Sequence, residues 1–543
     1  MQGIPLFSDG IIPVVAEQYG EDLPAQLGFV IVPGDLVVNG LDYNSWKNEF
    51  FNPAEALFSE VPVYPVLGNH EVNTPYYFDF FHLPENGTAG FEERWYYKDY
   101  SNVRIIGLDS NSPFNGATQL NWLQSVLDDA CADADIDFVF AQLHHPHHSE
   151  LWIPGESNFS TDVVTKLEDF STACGKPSIH FFGHTHGYSR GQSHDHDHLM
   201  VNVATAGGNI DYWGEFEQFD YPEFTVSHSE WGFVLLEVEA GPDPQFKLKR
   251  YSLGSEFLPL QNELRDSITV KLNNIEPDQP IAVSPVNETV DPNCLLLVGT
   301  SFNDPDGDRH MASQWQISTN QLDFSSPLYD EFRTHENWYF NIDTQAGEIL
   351  VDEKVSGIPE NSTLYWRVKY RDHSLGWSPW STPVEFATSV SNQSANLIVN
   401  AGAESGIGSW TVTQGVLESL VAFDCAGTSP NSGTRYFGIG GLCVESALGV
   451  ANQLIDVSAF QTDIDAGTQF ARFGAAMSDY NGDDIPAVQI EFLDGALNVL
   501  GASTTLTGAH PGWQVHEDLI PIPVSTSSVR FVISGTRNGG VDN

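Results

Sequence analysis

Six short, almost wholly apolar runs punctuate the first half of the chain, at 29–32, 61–67, 103–108, 138–143, 179–182 and 199–204. Runs of this length with little polar alternation are what strands buried on both faces look like. Helix-like stretches separate them. In QLNWLQSVL, which begins at Gln119, residues Leu120, Leu123 and Leu127 share one helical face. Strands alternating with amphipathic helices predict βα units around a sheet, hence an α/β domain.

At 543 residues the chain is too long for one core. The stretch 274–284 (NIEPDQPIAVS) carries two prolines and opens a different texture, which sets a boundary there. Beyond it, LYWRVKY from Leu364 alternates Trp366, Val368 and Tyr370 against Tyr365, Arg367 and Lys369, as a half-buried antiparallel strand does. That strand and WSPWS from Trp377 resemble the closing strands of fibronectin type III domains. A second linker, SVSNQS from Ser389, precedes NLIVNAGAESGIGSW, which resembles the start of galactose-binding-like jelly rolls. The expected domains are therefore 1–274, 275–389 and 395–543, the last expected to lack a final strand after GGVDN.

Acids outnumber bases 73 to 22, a formal charge of −51, which repels nucleic-acid phosphates and anionic membranes and excludes a nucleic-acid scaffold. No apolar run is long enough for a transmembrane helix. The five cysteines divide into Cys131 with Cys174, Cys425 with Cys443, and a solitary Cys294. Cys131 and Cys174 each precede a predicted strand by a few residues, so a disulfide between them is expected if those strands are neighbours.

The polar motifs fall at strand ends: GDLVVNG from Gly34, GNHE from Gly68, HHP from His144 and GHTH from Gly183. In open α/β folds the carboxyl ends of strands face one crevice, so these residues are predicted to meet there. They supply a carboxylate (Asp35), an amide oxygen (Asn69) and three imidazoles (His144, His184, His186). Mixed oxygen and nitrogen donors suit zinc, manganese or iron better than copper(I) or calcium. The two oxygens of Asp35 allow it to bridge two divalent ions, which can activate water and clamp a phosphate. His70 is left over as an acid, Glu71 as the group that orients it, and Arg190 as a fork for phosphate oxygens.

Together these motifs resemble the calcineurin-like metallophosphoesterases, with the purple acid phosphatases among their relatives. The resemblance covers about half the chain. It implies a β-sandwich flanked by helices, followed here by two all-β sandwich domains. It also implies hydrolysis of a phosphomonoester or phosphodiester, with Asp35 bridging, Asn69, His144 and His184 at one metal, and His186 at the other. The family's His-x-Pro arrangement selects His144 over His145, leaving His145, His147 and His148 on the rim or idle.

Two departures qualify the match. Val38 stands where purple acid phosphatases carry a metal-binding tyrosine, so no purple colour is expected. The opening Asp-x-His is not intact either: Gln2 falls at its third position, with the aspartate and first strand expected upstream of Met1. Asp9, the rival candidate, reads as a helix N-cap before Pro13. A truncated start accounts for the missing signal peptide of an exported (secreted, periplasmic or cell-surface) enzyme and predicts that the fragment itself is impaired. NDPDGD from Asn303 offers Asp304, Asp306 and Asp308 to calcium. The rear domains are assigned to attachment, to carbohydrate or another cell-surface polymer, with Trp377 and Trp380 as stacking candidates. The competing function is a binding or adhesion protein whose phosphoesterase-like head is catalytically impaired.

Overall fold

The structure, a computed structural model, describes residues 6–71, 73–391, 393–444, 446–467, 469–479, 484–508 and 512–537. Two compact units emerge: Met1–Val283 with Val298–Glu353 and Tyr365–Val384, and Ser284–Leu297 with Lys354–Leu364 and Glu385–Asn543.

The predicted apolar runs of the first unit are all strands: β1 (Val30–Val32), β2 (Val63–Pro65), β4 (Val103–Gly107), β5 (Phe138–Gln142), β6 (Ser178–Phe182) and β8 (His198–Asn202). To these the structure adds β3 (Tyr96–Tyr100), β7 (Tyr188–Gln192), β9 (Phe224–His228), β10 (Trp231–Glu239), β11 (Gln245–Gly254) and β12 (Pro259–Lys271). β3 to β9 belong to a nine-stranded sheet in the order β9-β7-β8-β6-β5-β4-β3, extended beyond β9 by the two short strands Trp338–Tyr339 and Ile342–Asp343. β4, β5, β6 and β8 run parallel. β10, β11 and β12 form a second, antiparallel sheet, and β1 pairs β2 in parallel.

Period-two alternation explains how one strand serves two layers. Val103 and Ile105 of β4, with Phe138 and Phe140 of β5, pack inward on Phe246, Leu248, Ile268 and Val270 of the second sheet. Ile106, Val139 and Ala141 point the other way, onto Leu123, Val126 and Leu127 of helix Ala117–Ala132 and Val163 and Leu167 of helix Asn158–Cys174. Each such side chain contributes about 1.5–3 kcal/mol when fully buried. The second helix stops at Gly175, whose φ of 63° gives the left-handed cap that only glycine adopts freely. Cys131 and Cys174, near the ends of these helices, are disulfide-bonded with Cα atoms 5.5 Å apart.

Asp9 does not cap a helix. The helical backbone already begins at Leu6, placing Asp9 inside its first turns and exposed. The strand Thr363–Asp372 pairs His310–Ser318 and buries Trp366, Val368 and Tyr370 as its alternation predicts. The ring of Trp377 is covered by the Lys369 ammonium at 4.0 Å, and that of Trp380 by the Arg367 guanidinium at 4.1 Å, so cation–π packing uses these rings. Asp304, Asp306 and Asp308 do gather, and the Lys271 ammonium pairs Asp306 (3.1 Å) and Asp308 (2.9 Å) there.

In the second unit, Leu448–Asp456, Ser528–Thr536 and Ile485–Leu493 are adjacent antiparallel strands over a core that includes Trp410, Phe473, Ile490 and Phe531. Cys425 and Cys443 are disulfide-bonded. No helix among the described residues is long and apolar enough to cross a membrane.

Candidate metal centre

Two pairs of parallel strands deliver the site from their carboxyl ends. β1 leads to Asp35, β2 to Asn69, β5 to His144 and β6 to His184. The turns after β1 and β6 are tight: Asp35 has φ 51° and His184 φ 67°, left-handed conformations that cost a non-glycine residue energy and persist where the surroundings impose them. Gly34 and Gly68 let the first two loops interlock. A Cβ on Gly68 would lie 2.1 Å from Asp35 Oδ1, and one on Gly34 would lie 2.6 Å from the Gly68 nitrogen and 2.8 Å from His144 Nδ1.

Glu71, wholly buried, fastens the same loops. Its Oε2 accepts from the backbone N–H groups of Asp35 (3.0 Å) and Gly68 (2.7 Å), and its Oε1 from Val37 (3.2 Å). It therefore positions Asp35 rather than orienting His70. Burial, and then the charge of Asp35, push its carboxyl up to about 7.

The donor atoms meet at His144, whose ring is fully buried. Its Nδ1 lies 2.8 Å from the Pro33 carbonyl, which can only accept, so the proton of the neutral ring sits on Nδ1. In that neutral form Nε2 carries the lone pair a metal needs; against burial, the Asp35 carboxylate pushes the ring's pKa up, so a proton competes with a cation for this nitrogen. Around it stand Asn69 Oδ1 at 2.9 Å, Asp35 Oδ2 at 3.1 Å and His184 Nδ1 at 3.1 Å. One proton could serve only one of these contacts. A divalent cation bonded at about 2.0–2.2 Å to nitrogen and oxygen donors would satisfy all four at once. The residues thus fit a metal of the zinc, manganese or iron kind.

Burial opposes ionisation of Asp35, but the His144 imidazole and the His70 N–H on Oδ1 (3.0 Å) outweigh it and hold the carboxyl well below its usual range. Burial and then His144 push His184 down to about 3, leaving it neutral, the form that ligates.

His70 stands at the open side, 43% exposed, its Nε2 3.9 Å from Asp35 Oδ2. His186 is outside the tight cluster. Its backbone N–H donates to Asp211 Oδ2 (2.7 Å) and its ring Nδ1 lies 3.5 Å from Asp211 Oδ1, so Asp211 aims a ring that is 35% exposed. His145 lies against the His184 ring at 4.5 Å and shares a hydrogen bond with Ser110. His147 and His148 turn elsewhere, to Thr161 and Glu223. Gln2 lies outside the described residues.

Arg190 is not at this site. It is 1% exposed on β7, and its guanidinium grips Asp266 at 2.6 and 3.1 Å while Tyr188 donates to the same carboxylate. Its four-residue spacing from His186 gave no sign of Asp266, which arrives from β12. Asp211 and Trp152, whose ring lies 5.0 Å from that of His184, carry no sequence signal of their own, because only tertiary loops bring them in. Glu71, by contrast, was visible inside GNHE.

Fold and donor set define a metallophosphoesterase fold that continues into a large all-β region. Residues 17–188 match the family model of the calcineurin-like phosphoesterases, a match that suggests metal-dependent phosphoester hydrolysis. Comparison with curated proteins gives no match. Among solved structures, the chain is similar to a purple acid phosphatase from yellow lupin seeds, at 17% identity over 46% of this chain and 47% of that one, with TM-score 0.35. It is also similar to the anchor of the inner membrane complex of Plasmodium, at 15% identity over 45% of this chain and 80% of that one, with TM-score 0.30. A family 16 carbohydrate-binding module is 16% identical over 26% of this chain and 94% of its own length, with TM-score 0.19. The chain spans less than half the lupin protein, and likenesses this low say nothing about activity.

Proposed function

We propose that the first unit hydrolyses a phosphomonoester or phosphodiester with two divalent ions, in an exported protein whose rear domains attach it to a carbohydrate or another surface polymer. The observation that carries this reading is the convergence of four donor atoms, His144 Nε2 ringed within 3.1 Å by three others. Bound divalent ions supply Lewis-acid charge to the phosphoryl oxygens and lower the pKa of a nearby water.

The chain's own residues do the rest. Asp35, fixed through the Glu71 brace and the His70 N–H, presents Oδ2 to the cluster and, as a carboxylate, has the capacity to bridge. Asn69 Oδ1 and His144 Nε2 hold their donor atoms 2.9 Å apart at the cluster. His186, steered by Asp211, offers a third imidazole beyond the cluster. As the bond from water to phosphorus forms and the ester P–O bond breaks, His70 Nε2 hands a proton to the departing alkoxide, and the proton released by the attacking water restores the imidazolium. No guanidinium is assigned to the phosphate, since Arg190 is committed to Asp266.

Export is supported by two disulfides in a chain with five cysteines. Attachment is supported by a cavity of about 550 Å³ in the second unit, where Trp410, Tyr436 and Trp513 meet Arg435. The test is hydrolysis of 4-nitrophenyl phosphate and bis(4-nitrophenyl) phosphate by the manganese- or zinc-loaded chain and by His184→Ala. Turnover that needs metal and falls at least about 100-fold in the variant is expected. Metal binding without turnover of either ester would favour the catalytically impaired binding protein.

A further inference from the structure

An aromatic ledge leads away from the donor cluster. Trp152 lies against the His184 ring, centroids 5.0 Å apart, and Phe216 against Trp152 at 5.7 Å. Because His184 Nδ1 faces the cluster, the ledge begins one side chain from where a phosphorus would sit. Its outer ring, Phe216, is 40% exposed.

The sequence builds this ledge deliberately stiff. Gly155 leaves room for it: a Cβ there would lie 2.9 Å from Trp152 Cε3 and 3.2 Å from His184 Cδ2. The loop carrying Trp152 is clasped to the one carrying Phe216, with the Ile153 N–H donating to the Glu217 carbonyl (3.1 Å) and Gln218 Nε2 to the Leu151 carbonyl (3.4 Å). The second loop also carries Asp211, which aims His186. Ring and ligand are therefore held in one register.

The surrounding charge narrows what can lie there. The neighbours of Phe216 in the chain, Glu215 and Glu217, are exposed carboxylates. Among the described residues no arginine or lysine stands over the Trp152 or Phe216 ring, and Arg190 is committed to Asp266. A leaving group with a second phosphate would meet negative charge and no cation. A neutral flat ring would meet two aromatic faces.

We propose that Trp152 and Phe216 are specificity-determining residues that stack a neutral, planar aromatic leaving group, as in an aryl phosphate or a nucleoside monophosphate. The proposal rests on the phosphoesterase reading of the donor cluster and names its substrate class. Stacking of one ring on an aromatic side chain corresponds to a preference of about 5- to 10-fold.

The test uses the full metal-loaded chain and three esters: phenyl phosphate, adenosine 5′-monophosphate and glycerol 3-phosphate. Both kcat/KM and equilibrium binding by calorimetry are measured, for wild type, Phe216→Ala and Trp152→Leu. Each variant is expected to lose about 5-fold or more on the aromatic esters relative to its loss on glycerol 3-phosphate, in binding as well as turnover. The phenyl and adenosine arms tell an aryl ester from a nucleotide. Equal losses on all three esters, or a wild type with no aromatic preference, would overturn the ledge while leaving phosphoester hydrolysis intact. Phe216-dependent binding of the aromatic esters without turnover would keep the ledge and sink the hydrolytic reading. Neither turnover nor Phe216-dependent binding would overturn both.

Discussion

Asp372 closes the strand Thr363–Asp372 with no exposed surface, and replacing it by asparagine should stabilise the protein only where the carboxyl is ionised. Its Oδ1 accepts from the N–H groups of Ser374 (2.8 Å) and Gly376 (2.9 Å), and its Oδ2 from Asn274 Nδ2 (2.8 Å). An asparagine keeps the first two bonds with its carbonyl. The third survives if Asn274 turns its amide over, because Asn274 Oδ1 is buried without a partner and can accept from the new amide. Charge is thus removed at no loss of hydrogen bonds. Burial pushes the Asp372 carboxyl up to about 7, against about 3.9 in an unfolded chain. A folded pKa above the unfolded one means that the native state resists ionisation: the contribution of this group is most favourable below about pH 4, falls as pH rises to about 7, and is flat beyond. Three pKa units correspond to about 4 kcal/mol at most. Urea unfolding of Asp372→Asn should therefore match wild type at pH 4 and exceed it by about 2–4 kcal/mol at pH 8. A constant difference at both pH values, or a variant weaker at pH 8, would refute the reasoning.

Three further outcomes are expected. Arg190→Met leaves the buried Asp266 without its guanidinium, with only the Tyr188 hydroxyl of its named partners, so urea unfolding should show a loss of about 3–5 kcal/mol, with KM for a phosphoester little changed at temperatures where the variant is folded. Gly68→Ala forces its Cβ onto Asp35, 2.1 Å from Oδ1, and should lower kcat about 100-fold or more in a steady-state assay, since displacements near 1 Å are that costly. Serine at both Cys131 and Cys174 opens a closure of 43 residues and should cost about 2–4 kcal/mol in a denaturant titration under oxidising conditions.

The parallel core was legible because β4, β5 and β6 are buried on both faces and so read as mostly apolar runs, broken only by residues such as Arg104 and His180. β7 was not, because YSRGQ buries polar groups that are satisfied by β12 and β9 rather than by their own neighbours in sequence. The donor cluster was legible for a related reason: each donor follows a strand end by two to four residues, so the topology alone brings Asp35, Asn69, His144 and His184 together. Arg190 and Glu71 show the limit. One looked like a phosphate fork and is the partner of a carboxylate 76 residues away; the other looked like the keeper of His70 and instead braces the loops of Asp35 and Gly68. Trp152 and Asp211 depend on a clasp between two loops that no local pattern encodes.

Metal stoichiometry tests the lone-pair cluster most directly. The chain, stripped with a chelator and dialysed against manganese or zinc, should take up divalent ion by mass spectrometry, and His144→Ala should lose the ion that Asp35, Asn69 and His184 share while keeping its far-ultraviolet circular dichroism. A folded His144→Ala that binds as much metal as wild type, or a folded wild type that binds none, would contradict the account.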